Sequence, residues 1–202
     1  MDTGEQIAAL EWELFDKVHN RGGRAACQND KRTFFIMRMS QFSAWTEEMR
    51  RSWLNDLRAA QAAGRNPLAE KYGYMMARTS PAEYEQIKDQ LPPRTAEKDA
   101  LIASICAAHV GWLEELAARY PNLTGRGRAI RRAADSTAST SLETYLWGEL
   151  ATYSRRTLAL YADHAARLLA QGRNMNEEIL LHTVQQYGFA SLDEAEAQLA
   201  SR

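Results

Sequence analysis

Cysteine is scarce in this chain: Cys27 and Cys106 stand far apart among 202 residues, with no Cys-x-x-Cys pair. That argues against a disulfide framework or a zinc finger, and the expectation is reduced thiols in a cytoplasmic protein. No sign of charge is in excess, since Lys and Arg number 25 and Asp and Glu number 26. General nucleic-acid binding is therefore not expected. The four histidines, His19, His109, His164 and His182, form no His-x-x-His or Glu-x-x-His pair. A di-iron bundle wants two Glu-x-x-His motifs, so no metal is predicted. Glu178 and His182 stand at i and i+4, which a surface ion pair explains more simply than a metal. There is no Gly-Lys-Ser/Thr ending of a phosphate-binding loop. No organic cofactor is predicted. The chain does not open on basic residues followed by an apolar run, and no stretch is expected to approach the roughly 20 apolar residues that cross a bilayer. No membrane partner is expected.

What is present is helical periodicity, and no alternating strand pattern persists. The reading is all-α, a single domain over 1–202. The first helix is predicted from about Glu5 to His19, with Ile7, Leu10, Leu14 and Val18 on one face. A long second helix is predicted from about Thr33 to Ala63, stopping at Gly64. Asn66-Pro67 reads as an N-cap followed by proline at the first helical position, and opens a third helix. Ser80 to Glu83 reads as a capping box for a short fourth. Helix is expected again over Thr95 to Tyr120, with a loop from Pro121 to about Ser139. Thr140 to Glu143 reads as the box for a second long helix ending near Gly172, and Ser191 to Glu194 as one more.

The chain also reads as written twice. Gly64-Arg65-Asn66 recurs as Gly172-Arg173-Asn174, 108 residues later. At that offset Gln41 meets Glu149, Trp45 meets Tyr153, Thr46 meets Ser154, Trp53 meets Tyr161 and Glu70 meets Glu178. The expectation is two similar helical halves, about 5–91 and 95–199, around a pseudo-two-fold axis. Leu91-Pro92-Pro93 begins the linker, about 91–94.

Polar groups fall on faces that should be apolar. Arg38, Gln41 and Asp56 project from the face carrying Phe34, Phe42, Trp45, Met49 and Trp53. Glu149 and His164 lie among Leu142, Leu146, Leu150, Tyr153 and Leu160, Glu11 lies among Ile7, Leu14 and Val18, and His109 lies among Ile105, Trp112 and Leu116. An unpaired buried charge costs several kcal/mol, so these groups must pair, neutralise or reach a wet pocket. One outcome is an internal ion-pair network, Arg38 with Glu149 for example. The other is a polar pocket between the halves.

Two Gly-Arg loops form a second constellation. One holds Arg21, Arg24, Cys27, Gln28 and Asp30; the other holds Arg126, Arg128, Arg131, Arg132 and Asp135. Arginine offers a planar fork for carboxylate or phosphate, so an anion site is one reading. A solvated basic loop, or arginines that cap helix C-termini across the repeat, is the other. Cys27 follows the first loop and is read as a packed thiol more readily than a reactive one.

A longer set of words resembles a known family. Glu11-Trp12, Gly23-Arg24-Ala25-Ala26-Cys27-Gln28, Met37-Arg38, Ser40-Gln41-Phe42, Gly64-Arg65-Asn66, Glu70-Lys71-Tyr72 and Met75-Met76 occur in order. Ser141-Leu142-Glu143-Thr144-Tyr145, the run Gly148 to Ser154, and Tyr187-Gly188 complete the set. Together they resemble the bacterial domain-of-unknown-function family 4125 over about Glu5 to Leu199. The resemblance implies a stand-alone bacterial protein, accompanied in some members by a nucleotidyltransferase-like domain, which is not expected here. It carries no activity.

The leading functional expectation is an enzyme without an organic cofactor, acting on a small anionic metabolite. Arg24, Arg128 and Arg38 would hold the anion. Glu149 would be the general acid or base, and Glu11, Gln41, Tyr145 and Tyr153 would surround the substrate, with Glu11 as second catalytic candidate. The alternative is a non-catalytic ligand-binding or protein-interaction module whose polar face is a buried ion-pair network. Exposed aromatics on a helix would suit a homodimer. An all-helical ribonuclease is disfavoured by the neutral charge and the lack of an Arg-x4–6-His motif.

Overall fold

Asp2 begins the fold by accepting the Glu5 N–H at 2.8 Å while the Glu5 carboxylate accepts the Asp2 N–H at 2.9 Å. This reciprocal cap opens helix α1 (Thr3–Asp16), earlier at both ends than the spacing predicts. The protein is described here from a computed structural model, for residues 1–19 and 23–201. Asn20, Arg21 and Gly22 of the first Gly-Arg loop lie outside the described residues. The helices that follow are α2 (Lys31–Ser43), α3 (Glu47–Ala62), α4 (Pro67–Thr79), α5 (Pro81–Ile87) and α6 (Ala96–Arg119). After them come α7 (Pro121–Thr124), α8 (Leu142–Ala151), α9 (Arg155–Ala170), α10 (Met175–Gln186) and α11 (Leu192–Ala200). Short 3-10 turns stand at Ala26–Asn29, Lys88–Gln90 and Arg132–Ala134, and no strand forms among the described residues.

Each predicted long helix is two helices. The first breaks at 44–46 and the second at 152–154. Thr46 turns its hydroxyl onto the Met49 N–H at 3.2 Å, and Ser154 does the same to Thr157 at 3.2 Å. Such side chains compete with the helical backbone and favour caps. The apolar spacing of Phe42, Trp45, Met49 and Trp53 runs straight through the break, so periodicity alone conceals it. Two predicted boxes also differ. Ser80 makes no side-chain cap, and Pro81 alone opens α5. Ser141, rather than Thr140, caps α8, while Glu143 accepts the Arg132 N–H at 2.9 Å.

The helix stops were legible. Gly64 and Gly172 have φ of 69° and 65°, the left-handed region that glycine enters without strain. The next N–H turns back in each case, from Arg65 to Ala60 O at 2.8 Å and from Arg173 to Leu168 O at 2.9 Å. Asn66 and Asn174 then cap α4 and α10. Their amides also donate outward, to Leu14 O at 2.8 Å and Trp112 O at 3.0 Å.

Packing crosses between the two segments of chain. α1 packs on α2, α3 and α4, and α6 packs on α8, α9 and α10. α4 also lies against α8, α10 against α2, and α3 against α9. One large core results, from Ile7 and Phe42 through Trp53 to Ile105, Leu150 and Tyr161. A smaller cluster of Leu116, Tyr120, Val184, Leu192 and Ala195 holds α11 in place. The contact of α4 with α8 depends on Gly148. A Cβ there would fall 2.5 Å from Met75 Cγ and 2.9 Å from the Lys71 carbonyl oxygen. Gly148→Ala is therefore expected to lower stability by about 1–3 kcal/mol. Urea unfolding measures it, and an unchanged midpoint would mean that α4 and α8 separate freely.

One expectation needs correcting. α6, at 24 residues, is long and apolar enough to cross a bilayer by length and composition. Its Ile102, Ile105, Trp112 and Leu116 are buried in the core, as in an ordinary central helix.

Candidate functional site

Four charged side chains from four helices meet inside the fold. α1 supplies Glu11, α2 Arg38, α4 Lys71 and α8 Glu149. Arg38 grips Glu11 with two parallel bonds of 2.6 Å each and reaches Glu149 at 3.0 Å. Lys71 Nζ donates to the other Glu149 oxygen at 2.7 Å. Tyr153 and Gln41 donate to Glu149 at 2.9 and 3.2 Å, and the Trp53 indole donates to Glu11 at 2.8 Å. Gln41 also accepts from Arg38 at 2.7 Å. Formal charges balance, two cations against two carboxylates.

The two carboxyls are held differently. Burial works to raise Glu149, but Arg38 and Lys71 outweigh it and hold the carboxyl well below the usual carboxylate range. Burial pushes Glu11 up from its ordinary value, and Arg38 offsets part of that. Burial also disfavours the charge on Arg38, yet Glu11 and Glu149 raise its pKa well above the ordinary value.

A second polar chain runs alongside. Asn176 donates its amide N–H to the His109 carbonyl at 3.1 Å, which turns its oxygen to the His109 ring at 2.8 Å. His109 Nδ1 thus carries the proton, and Nε2 accepts from the Tyr161 hydroxyl at 2.9 Å. Trp45 Nε1 is the one buried side-chain nitrogen or oxygen without a partner among the described residues. Burial pushes His109 down from 6.5 to about 4. Between those values the unfolded chain takes a proton that the folded one refuses, so stability falls as pH drops from 6.5 to about 4. The loss is up to about 3 kcal/mol. Urea unfolding at several pH values should show it, and His109→Gln should flatten that part of the profile.

Asp56 and His164, read as buried polar groups, each fasten a helix interruption. Asp56 accepts from the Ser154 N–H at 2.9 Å and the Thr157 hydroxyl at 2.7 Å. His164 donates to the Ala44 carbonyl at 3.0 Å.

Glu11, Arg38, Gln41, Glu149 and Tyr153 are thus brought together, and Tyr145 stands at their edge with Lys71 Nζ 3.4 Å from its ring centroid. Arg128 touches that edge, its guanidinium carbon 5.2 Å from the same centroid. Arg24 lies elsewhere. It pairs with the Asp16 carboxylate and donates to the Asp16 and Gln28 carbonyls and to Asn29, tying the end of α1 to the turn that follows. Cys27 is exposed and Cys106 buried. Glu178 pairs with Arg173, and His182 contacts Ser40. Lys71, Trp53 and Tyr72 were missed as site residues. The available signal for Lys71 was its place between Pro67 and Met75 on the buried face of α4.

These residues span nearly the whole set of words that carried the resemblance, and the family model matches residues 2–197. The chain belongs to the family described as "Protein of unknown function (DUF4125)". No curated protein and no solved structure matches it. In this DUF4125 member two surface cavities stand apart from the charge network. One, of about 500 Å³, is lined by Glu47, Glu48, Arg51, Ser52, Asn55 and Arg156. The other, of about 370 Å³, lies against the linker at Leu91, Pro92 and Pro93.

Proposed function

We propose that the chain is a non-catalytic helical binding module, in which the buried charges lock the two halves together. The observation that carries this is pairing. Both oxygens of Glu11 and Glu149, all three nitrogens of Arg38 and the Lys71 amine have partners within the protein. An acid–base group needs a pKa near the working pH and access to substrate. Glu149 is 7% exposed and its carboxyl is held low, which gives the enzymatic reading less support. The lock joins residues 111 apart in Arg38 and Glu149 and 78 apart in Lys71 and Glu149.

In this reading the chain is one domain made of two copies of a helical unit around a pseudo-two-fold axis. Support comes from like bonds made by corresponding residues: Arg65 with Glu70 and Arg173 with Glu178, Asn66 with Leu14 and Asn174 with Trp112. Glu11 with Trp53 and His109 with Tyr161 extend the series. The module acts in the cytoplasm, and a small anionic metabolite is its ligand. Replacing network charges by Arg38→Met and by Glu149→Gln tests the lock. Both variants should unfold at markedly lower temperature, and an unchanged melting temperature in either would overturn it.

A further inference from the structure

Tyr145 stands at the outer end of the network, one helical turn before Glu149 on α8. Lys71 fits between them, with Glu149 at 2.7 Å and the Tyr145 ring centroid at 3.4 Å, and its side chain is 4% exposed. On the solvent side, exposed Arg128 lies against the same ring. Arg128 donates to the Thr140 carbonyl at 3.0 Å and has no carboxylate partner among the described residues. Arg131, in the same loop, pairs with Glu114. Tyr72, from α4, hydrogen-bonds with Tyr145, and burial together with that neighbour pushes the Tyr72 phenol up.

The groups facing Tyr145 are Lys71 and Tyr72 from α4, Arg38 from α2, Arg128 from the preceding loop and Glu149 on its own helix. Glu149 and Glu11 balance Lys71 and Arg38. One positive charge, that of Arg128, is left over beside the half-buried Tyr145 ring.

We propose that Arg128 and Tyr145 form a binding site for a small oxyanion, the carboxylate or phosphate group of a metabolite. The guanidinium supplies a planar pair of donors, and the Tyr145 phenol an O–H. This deepens the binding-module reading by naming the ligand chemistry and where it binds, and it uses residues outside the lock.

Tyr145 reports on its own occupancy. Lys71 draws its phenol below the usual value of 10.0, whereas burial raises Tyr72, Tyr74, Tyr153 and Tyr161. A bound anion holds the proton on the phenol, so binding should raise the Tyr145 midpoint and weaken as pH passes through it. The experiment is an absorbance titration of tyrosinate with inorganic phosphate, with acetate, or with chloride at matched ionic strength. Subtracting the Tyr145→Phe titration isolates Tyr145 among eight tyrosines. Phosphate or acetate should raise its proton affinity about threefold or more over chloride, an effect lost in Arg128→Gln. A response to phosphate alone assigns a phosphate ligand, and one to acetate alone a carboxylate. No movement with either ion, or equal movement in Arg128→Gln, overturns the site. Arg38→Met melting reads the lock separately, so the two can fail independently.

Discussion

Arg38→Met should lower the free energy of unfolding by about 3–5 kcal/mol, the usual consequence of removing one partner from a buried ion pair. Methionine fills much of the same space, so the loss is electrostatic more than steric. Glu149 keeps Lys71, Tyr153 and Gln41 as donors. Glu11 loses both strong bonds and keeps the Trp53 indole alone among its described partners. The damage therefore concentrates at Glu11, whose carboxyl burial already pushes up. Without Arg38 it rises further. A carboxyl with a raised folded pKa favours folding while protonated and opposes it once the pH exceeds the unfolded value. The deficit of Arg38→Met should accordingly grow as pH rises above the ordinary carboxylate value of 4.5. Glu11→Leu in the same background removes the stranded charge and should recover part of the loss, a coupling that a double-mutant cycle measures. If the single variant melts like the parent, Arg38 does not hold α1, α2 and α8 together.

The sequence made some of this readable and hid the rest for physical reasons. Glycine at 64 and 172 and asparagine at 66 and 174 are local signals, because their conformational or capping preference acts within a turn. The meeting of Glu11, Arg38, Gln41 and Glu149 was foreseeable because a polar group on an apolar face has to find a partner. Lys71 escaped because lysine on a helix is ordinarily solvated, and its burial depends on α4 packing against α8, whose Glu149 lies 78 residues beyond Lys71. The breaks at Thr46 and Ser154 escaped because the apolar spacing continues across them. The role of Arg24 turns on proximity to Asp16, which a loop sequence does not reveal. Asp56 and His164 were recognised as polar residues on buried faces, but their targets are backbone groups at the interruptions themselves, invisible until the interruptions are known.

Glu149→Gln should also cost about 3–4 kcal/mol, but with the opposite dependence on pH. Glutamine keeps the shape and one acceptor for Tyr153 or Arg38. It leaves the Lys71 ammonium buried with the Tyr145 ring and no carboxylate. A buried ammonium without a counter-charge releases its proton more readily than an exposed lysine. The unfolded chain then binds more protons than the folded one, and stability rises with pH. The deficit of Glu149→Gln should shrink toward alkaline pH, while that of Arg38→Met grows. At acid pH a second contrast appears. In the parent protein Glu149 has a depressed pKa, so its contribution is complete above the ordinary value of 4.5 and is lost as pH falls below that. The variant lacks this carboxyl and should lose less on acidification over the same range. Urea unfolding at matched pH values reads both slopes, and Lys71→Met combined with Glu149→Gln should restore part of the stability. Parallel slopes in the two variants would mean that the charges act through general packing. Opposed slopes require that each cation answers to its own carboxylate, Arg38 to Glu11 and Lys71 to Glu149, with Arg38 bridging the two.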